Sequence, residues 1–308
     1  MRIVSLLAGA TEILYGLGLG DSVVGISHEC DTPPEALHKP RVTVAYLDSS
    51  CDSSAIDEHV RSRSMAGVPL YEIDLPLLAS LRPGLIVTQS QCDVCAVSYD
   101  VVMEAVATRR ELADTQVVAM NPTNLPTLYE DILRIGVAAD VSAAAREFVG
   151  RLKERESVVS AAAARILPVD RPRVICIEWI EPLMIAANWI PELIEKAGGT
   201  SGLTRAGERS AYADWKAVVG YDPEVILVSP CGFDLPRTLR EVGRLKLLPG
   251  WERLSAVRNH RVFAVDGNAY FNRSSPRILD SLELLAALIH PSYFTMPPNI
   301  EGNCWARL

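Results

Sequence analysis

Unbroken apolar runs, with no polar residue at every second position, recur along the chain and end in polar turns. Two of them read almost alike. "LRPGLIVTQSQCD", Leu81 to Asp93, and "YDPEVILVSPCGFD", Tyr221 to Asp234, each have a proline, one residue, four aliphatic or β-branched residues, then a polar turn containing cysteine. A run without alternation is what a parallel strand covered on both faces requires. "RIVSLL" near the start and "RVICIEW", Arg173 to Trp179, read as further buried strands.

A second echo follows each of those strands. "TEILYGLG" (Thr11 to Gly18) matches "PELIEKAGG" (Pro191 to Gly199). Thr11 and Pro191 suit a helix start, Glu12 and Glu192 suit its positive end, and Gly18 and Gly198 suit its finish. Because both echoes occur in the same order, the pattern predicts two related α/β lobes. Between them, Ser142 to Ile166 is uninterrupted by proline and carries no glycine after Gly150. Phe148, Leu152, Val158 and Val159 fall near one helical stripe, with Ser142 able to cap the start. A helix of that length is a rod on the order of 35 Å long, which predicts a cleft whose width changes little. The boundaries expected are an N-terminal lobe over 1–125, a linker region with the long helix over 126–169, and a C-terminal lobe over 170–308.

Ligands of open parallel sheets sit beyond the carboxyl ends of the strands. The segments there are "SHEC" (27–30), "QSQCDVC" (89–95), "WIEP" (179–182), "PCGF" (230–233) and "GNAYFNR" (267–273). Histidine, cysteines and aromatic rings are thereby expected to converge on one crevice.

Composition narrows the function. Nearly half of the residues are hydrophobic, enough for a sizeable core. The net charge of −8, without a basic block, argues against nucleic acid and anionic membrane as partners. No stretch approaches a membrane span. The first apolar run is short and is cut by Thr11 and Glu12, unlike a secretory signal core. With Met1 as the natural start the expectation is a cytoplasmic protein; a start further upstream would make it periplasmic. Seven cysteines at scattered spacings do not read as a disulfide framework.

Cys92 and Cys95 carry three readings. They supply half of a zinc site that His28 and Cys30 could complete, a redox pair before a helix that Ser98 caps, or small buried side chains at the crevice rim. Trp179, Trp189, Tyr270 and Phe271 have the character of pocket walls or of core. Arg273 offers a planar fork to an amide, phosphate or carboxylate, while Arg277 reads as an anchor of the last helix. No P-loop, nucleophile elbow, dinucleotide fingerprint or H-E-x-x-H is present, and no catalytic cofactor is implied.

The succession "ATEILYGLGLGDSVVGIS", "CDTPPEA", "LASLRPGLIVTQ", the long helix, "PELIEKAGG", "DPEVILV" and "YFNRSSPRILDSLELLAALIHP" resembles the helical-backbone class of substrate-binding proteins, nearest its vitamin B12-binding members. The resemblance covers nearly the whole chain. It implies two Rossmann-like lobes with parallel central sheets, one rigid connecting helix, and a binder, not an enzyme, that holds a corrinoid, cobalamin, between the lobes, with ligand contacts at His28, Gln91, Cys92, Trp179, Trp189, Cys231, Phe233, Tyr270 and Arg273. Haem or an iron–siderophore on the same scaffold, and a thiol-based zinc or redox protein, are the alternatives. The resemblance also implies an ABC permease as partner, docked through one glutamate per lobe. Pro76 and Lys216 stand at those positions here, with Glu72, Asp74 and Asp214 nearby, so a cytoplasmic carrier or sensor is an equal expectation.

Overall fold

A computed structural model describes residues 1–48, 50–90, 96–300 and 304–308. The chain runs β1 (Ile3–Ser5), α1 (Ala8–Gly16), β2 (Val23–Ile26), β3 (Thr43–Ala45), α2 (Ser53–Met65), β4 (Tyr71–Ile73), α3 (Leu75–Leu81), β5 (Leu85–Gln89), α4 (Tyr99–Thr108) and β6 (Gln116–Met120). Helices α5 (Leu125–Ala138) and α6 (Ser142–Ala163) lead to the second half. There follow β7 (Val174–Trp179), β8 (Met184–Ile185), α7 (Ile190–Lys196), β9 (Ala211–Tyr212), α8 (Trp215–Tyr221), β10 (Val225–Val228) and α9 (Leu235–Glu241). The chain closes with α10 (Ser255–Arg258), β11 (Val262–Val265), α11 (Ile278–Ile289) and β12 (Trp305–Arg307).

The first sheet has the order β2-β1-β5-β6, with every pairing parallel. The second has the order β12-β11-β10-β7-β8-β9, parallel through β11, β10 and β7 and antiparallel at both margins. Strands β5 and β10 are buried at every position, as their unbroken apolar runs require.

The echo between the halves reaches further than the strands. Asp74 caps α3 and Asp214 caps α8, through bonds of 2.9 Å to the amides of Leu77 and Lys216. Both helices end on a left-handed residue, Arg82 and Asp222, directly before the shared proline. Pro76 and Lys216 occupy the second position of their respective helices.

Three expectations need correcting. Helix α1 begins at Ala8, not Thr11, because Leu7 is extended and the Thr11 hydroxyl bonds Ser5 Oγ at 2.8 Å instead of capping. Val158 is 67% exposed, since the buried stripe of α6 runs through Ala145, Val149, Leu152, Val159 and Ala163. Finally, Val141 and not Ser142 stands at the N-cap of α6, with no side-chain cap; the helix itself, about 33 Å long over its 22 residues, is the expected rod and is packed against both halves. Phe148 fits beneath Gly16 of α1, whose absent Cβ would lie 2.6 Å from the ring. Arg155 binds Asp280 (2.5 Å) and Glu283 (2.8 Å) of α11. The helix is glued to both halves.

Candidate functional site

The carboxyl ends of the two sheets face each other across a seam. "WIEP" and "PCGF" join first: the Trp179 ring lies 5.2 Å from that of Phe233, and the Cys231 amide donates to the Glu178 carbonyl at 3.0 Å. "GNAYFNR" joins through Asn268, whose amide donates to the Phe233 carbonyl, and through Asn272, whose side chain donates to the Ser229 carbonyl at 2.7 Å. Glycine is required at 267 because a Cβ would sit 2.4 Å from the Pro230 carbonyl oxygen. Across the seam, Asp31 beside "SHEC" accepts from Arg273 and from Asn268. Three of the five expected segments therefore interlock, and "SHEC" is tied to them through its neighbour Asp31. The fifth holds Gln91, Cys92 and Cys95, which lie outside the described residues.

One edge of the seam is packed and charged. Gly9 of α1 lies so close to the 273–277 turn that a Cβ would meet Ser274 O at 2.3 Å. Beside it, Glu12 accepts from Arg277 Nε (2.9 Å), Arg277 Nη2 (2.6 Å) and Arg273 Nη1 (3.2 Å). Arg273 also forks onto Asp31 at 2.5 and 2.9 Å. Burial alone would raise the Asp31 carboxyl, but the guanidinium holds it below the usual carboxylate range. Two carboxylates and two guanidiniums thus balance here, with Glu12 and Arg273 buried and the Asp31 side chain 45% exposed.

The opposite edge is made by α2 of the first half. Ser53 N donates to Glu241 Oε2 (2.9 Å), and the Trp179 indole donates to Ser53 O (3.2 Å). Arg244 pairs with Asp52 at 2.7 Å and with Glu181, the Tyr212 hydroxyl donates to Asp57 at 2.6 Å, and Arg237 reaches the Cys51 carbonyl. The Arg237 guanidinium lies 4.2 Å above Phe233 and pairs with Glu241 at 2.9 Å.

His28 is fastened to its own lobe. Its ring stacks on Tyr71 at 5.1 Å, Nδ1 is 2.7 Å from Thr43 Oγ1, and Nε2 is 3.3 Å from Glu29. The contact with His28 holds the Glu29 carboxyl below its usual range. Thr43 Oγ1 also accepts from the His28 amide at 2.9 Å, and His28 Nε2 is buried without a hydrogen-bond partner among the described residues.

Cys30 is fully buried, 3.0 Å from Thr11 Oγ1 and 3.4 Å from Ser27 Oγ, and burial pushes its thiol pKa up. Among the described residues no three His, Cys, Asp or Glu side chains gather as a metal site. Trp189 is 7% exposed and donates its indole proton to the Phe271 carbonyl at 2.8 Å, so its ring belongs to the core beneath the 267–271 turn. Tyr270 is half-buried beneath Arg277.

Sequence reasoning missed Asp31, Ser53, Arg237, Glu241 and Arg244. Only the i, i+4 spacing of Arg237 and Glu241 carries a local signal, and that spacing reads equally as a surface pair. Two hollows lie away from the seam. One of about 250 Å³ lies between α6 and α7, lined by Arg171, Glu192 and Lys196 among others. The other, of about 390 Å³, lies at the start of α3 and is lined by Glu72, Asp74, Pro76 and Arg109 among others.

Known proteins share this architecture. The chain is 22% identical over 295 residues to the ABC transporter substrate-binding lipoprotein YvrC of Bacillus subtilis, covering 95% of this chain and 81% of that one. It is 24% identical over 293 residues to the vitamin B12-binding protein of Vibrio cholerae, covering 92% and 86%. The crystal structure of Staphylococcus aureus IsdE complexed with haem superposes with a TM-score of 0.70 at 16% identity, covering 94% and 98%. The family model described as periplasmic binding protein matches residues 3–269. With two parallel-centred lobes facing across one seam and a family match over most of its length, the chain belongs to the periplasmic binding protein family.

Proposed function

We propose that the chain is a substrate-binding protein of the ABC-importer type, not an enzyme, and that its ligand is cobalamin, held at the seam. The observation that carries the choice of ligand is the likeness to the vitamin B12-binding protein along 92% of the chain. His28, Trp179, Cys231, Phe233, Tyr270 and Arg273 are proposed to face the ligand, together with Gln91 and Cys92. A corrin gains from aromatic contact at its face and polar contact at its amide-bearing periphery. Haem is the second reading, favoured by the haem complex of IsdE on the same fold.

A permease is the proposed partner. The acidic groups at the starts of α3 and α8 are Glu72, held by the Tyr46 hydroxyl, and the two capping aspartates. Purified protein titrated separately with hydroxocobalamin and with hemin tests the ligand, followed by visible absorbance and calorimetry. The expected result is saturable 1:1 binding of hydroxocobalamin without replacement of its axial water. Saturable binding of hemin alone would establish the second reading; no binding of either would overturn both.

A further inference from the structure

We propose that α2 is a polar door over the seam, held shut by Glu241 and Arg244, and that ligand exchange proceeds by its release while the Gly9–Ser274 edge stays closed. The second half rests on the proposed ligand site; the door itself does not.

Helix α2 lies in an excursion from the β3–β4 ladder, whose base is closed by the Tyr46 amide donating to the Leu70 carbonyl at 2.9 Å. Of its thirteen residues only Ser53 and Ile56 are buried. An element with so few buried apolar side chains belongs to the low-stability end of a protein. Gly67, at the far end, has positive φ with open space around it, which suits a pivot.

What holds α2 across the seam is polar. Glu241 places its buried carboxylate at the positive end of this helix, where the Ser53 amide donates to it. Asp52 and Asp57 reach Arg244 and Tyr212, which are themselves exposed or partly so. Ser53 gives a second, independent sign. Its Oγ is fully buried yet has no hydrogen-bond partner among the described residues, so the shut position leaves a hydroxyl unsatisfied that water or a ligand would satisfy. Beneath Ser53 stand Trp179 and Phe233, the aromatic face of the seam. The opposite edge has no such freedom, because there backbone meets backbone at Gly9.

Amide hydrogen exchange on the intact, ligand-free protein tests the door directly. Glu241→Gln is expected to speed exchange of peptides within 50–66 about tenfold, the size of losing one charge from a helix start in a buried setting. Arg244→Gln is expected to do so less, and peptides of β1, β5 and β10 are expected to stay unchanged. Stopped-flow mixing with hydroxocobalamin, and with hemin, is then expected to show faster association for both variants, in the same order. Unchanged exchange at 50–66 in both variants would overturn the door. Faster exchange with unchanged association of a macrocycle that does bind would overturn its role in access. If neither macrocycle binds wild-type protein, the ligand reading fails, while the exchange result still decides the door.

Discussion

Replacing Glu12 by glutamine probes the charged edge of the seam most directly. Its side chain is 6% exposed and takes three N–H donors from two arginines. Breaking a buried ion pair by removing one partner costs about 3–5 kcal/mol, whereas an exposed pair is worth about 0–1 kcal/mol. Two features pull the cost toward the lower end. Arg273 keeps its fork on Asp31, and Arg277, 21% exposed, can turn toward water. Glutamine also keeps one acceptor oxygen in place. The expected loss is therefore about 3 kcal/mol. Urea unfolding at pH 7, followed by tryptophan fluorescence and circular dichroism, measures it. Combined with Arg277→Gln in a double-mutant cycle, the pair is expected to couple by at least about 1.5 kcal/mol, the lower value for a hydrogen bond to a charged group. A Glu12→Gln loss below about 1 kcal/mol would place this network with solvent-exposed pairs and refute the argument that it fastens the lobes.

Three further outcomes are expected. Gly9→Ala drives a Cβ into the Ser274 carbonyl, which is backbone and cannot rotate away, so a loss of about 2–3 kcal/mol is expected in urea. Gly150→Ala, inside α6 with nothing within 4 Å of the new atom, is expected to gain about 0.5–1 kcal/mol in the same assay. His290, whose Nε2 lies 2.9 Å from the Gly198 carbonyl, has its imidazole pKa lowered by burial. The unfolded chain then binds the proton more readily, so this histidine's contribution is complete above the unfolded value of about 6.5 and is lost as pH falls from there through the folded value. Stability curves from pH 8 to 5 are expected to show His290→Gln lacking that part of the acid-side slope.

The parallel strands and the duplication were legible because both rest on local pattern. An apolar run buried on both faces has no alternation, and a helix ending in positive φ asks for glycine, as at Gly18 and Gly198. The margins of the second sheet were not legible. Strands β8 and β9 are two residues each and β12 three, too short for a period to declare itself. Helix α2 was invisible for the opposite reason: a helix polar on nearly every side has no stripe. In the site, a ring at Trp189 serves equally as wall or core, and what decides is an indole partner 82 residues away. Arg273 was readable as a fork, but its partners Glu12 and Asp31 lie more than 240 positions earlier.

The two edges of the seam follow from how the core is distributed. One apolar cluster runs through both halves, joining Ile13 and Val87 of the first to Val174, Leu193 and Phe263 of the second. Ten of the twelve residues of α11 are buried, and that helix packs on both α6 and α7. Swinging one lobe away from the other about α6 would expose this shared cluster, at roughly 25 cal/mol for every Å² of apolar surface uncovered. Opening of even a few hundred Å² in that manner would rival the whole stability of an ordinary domain. Contacts at the α2 edge are polar and are exchanged for water on opening, at a net worth of about 1 kcal/mol for a neutral pair and about 1.5–3 kcal/mol where one partner is charged, and no shared apolar cluster is uncovered there. Opening is therefore confined by the core to the one edge where no core was built.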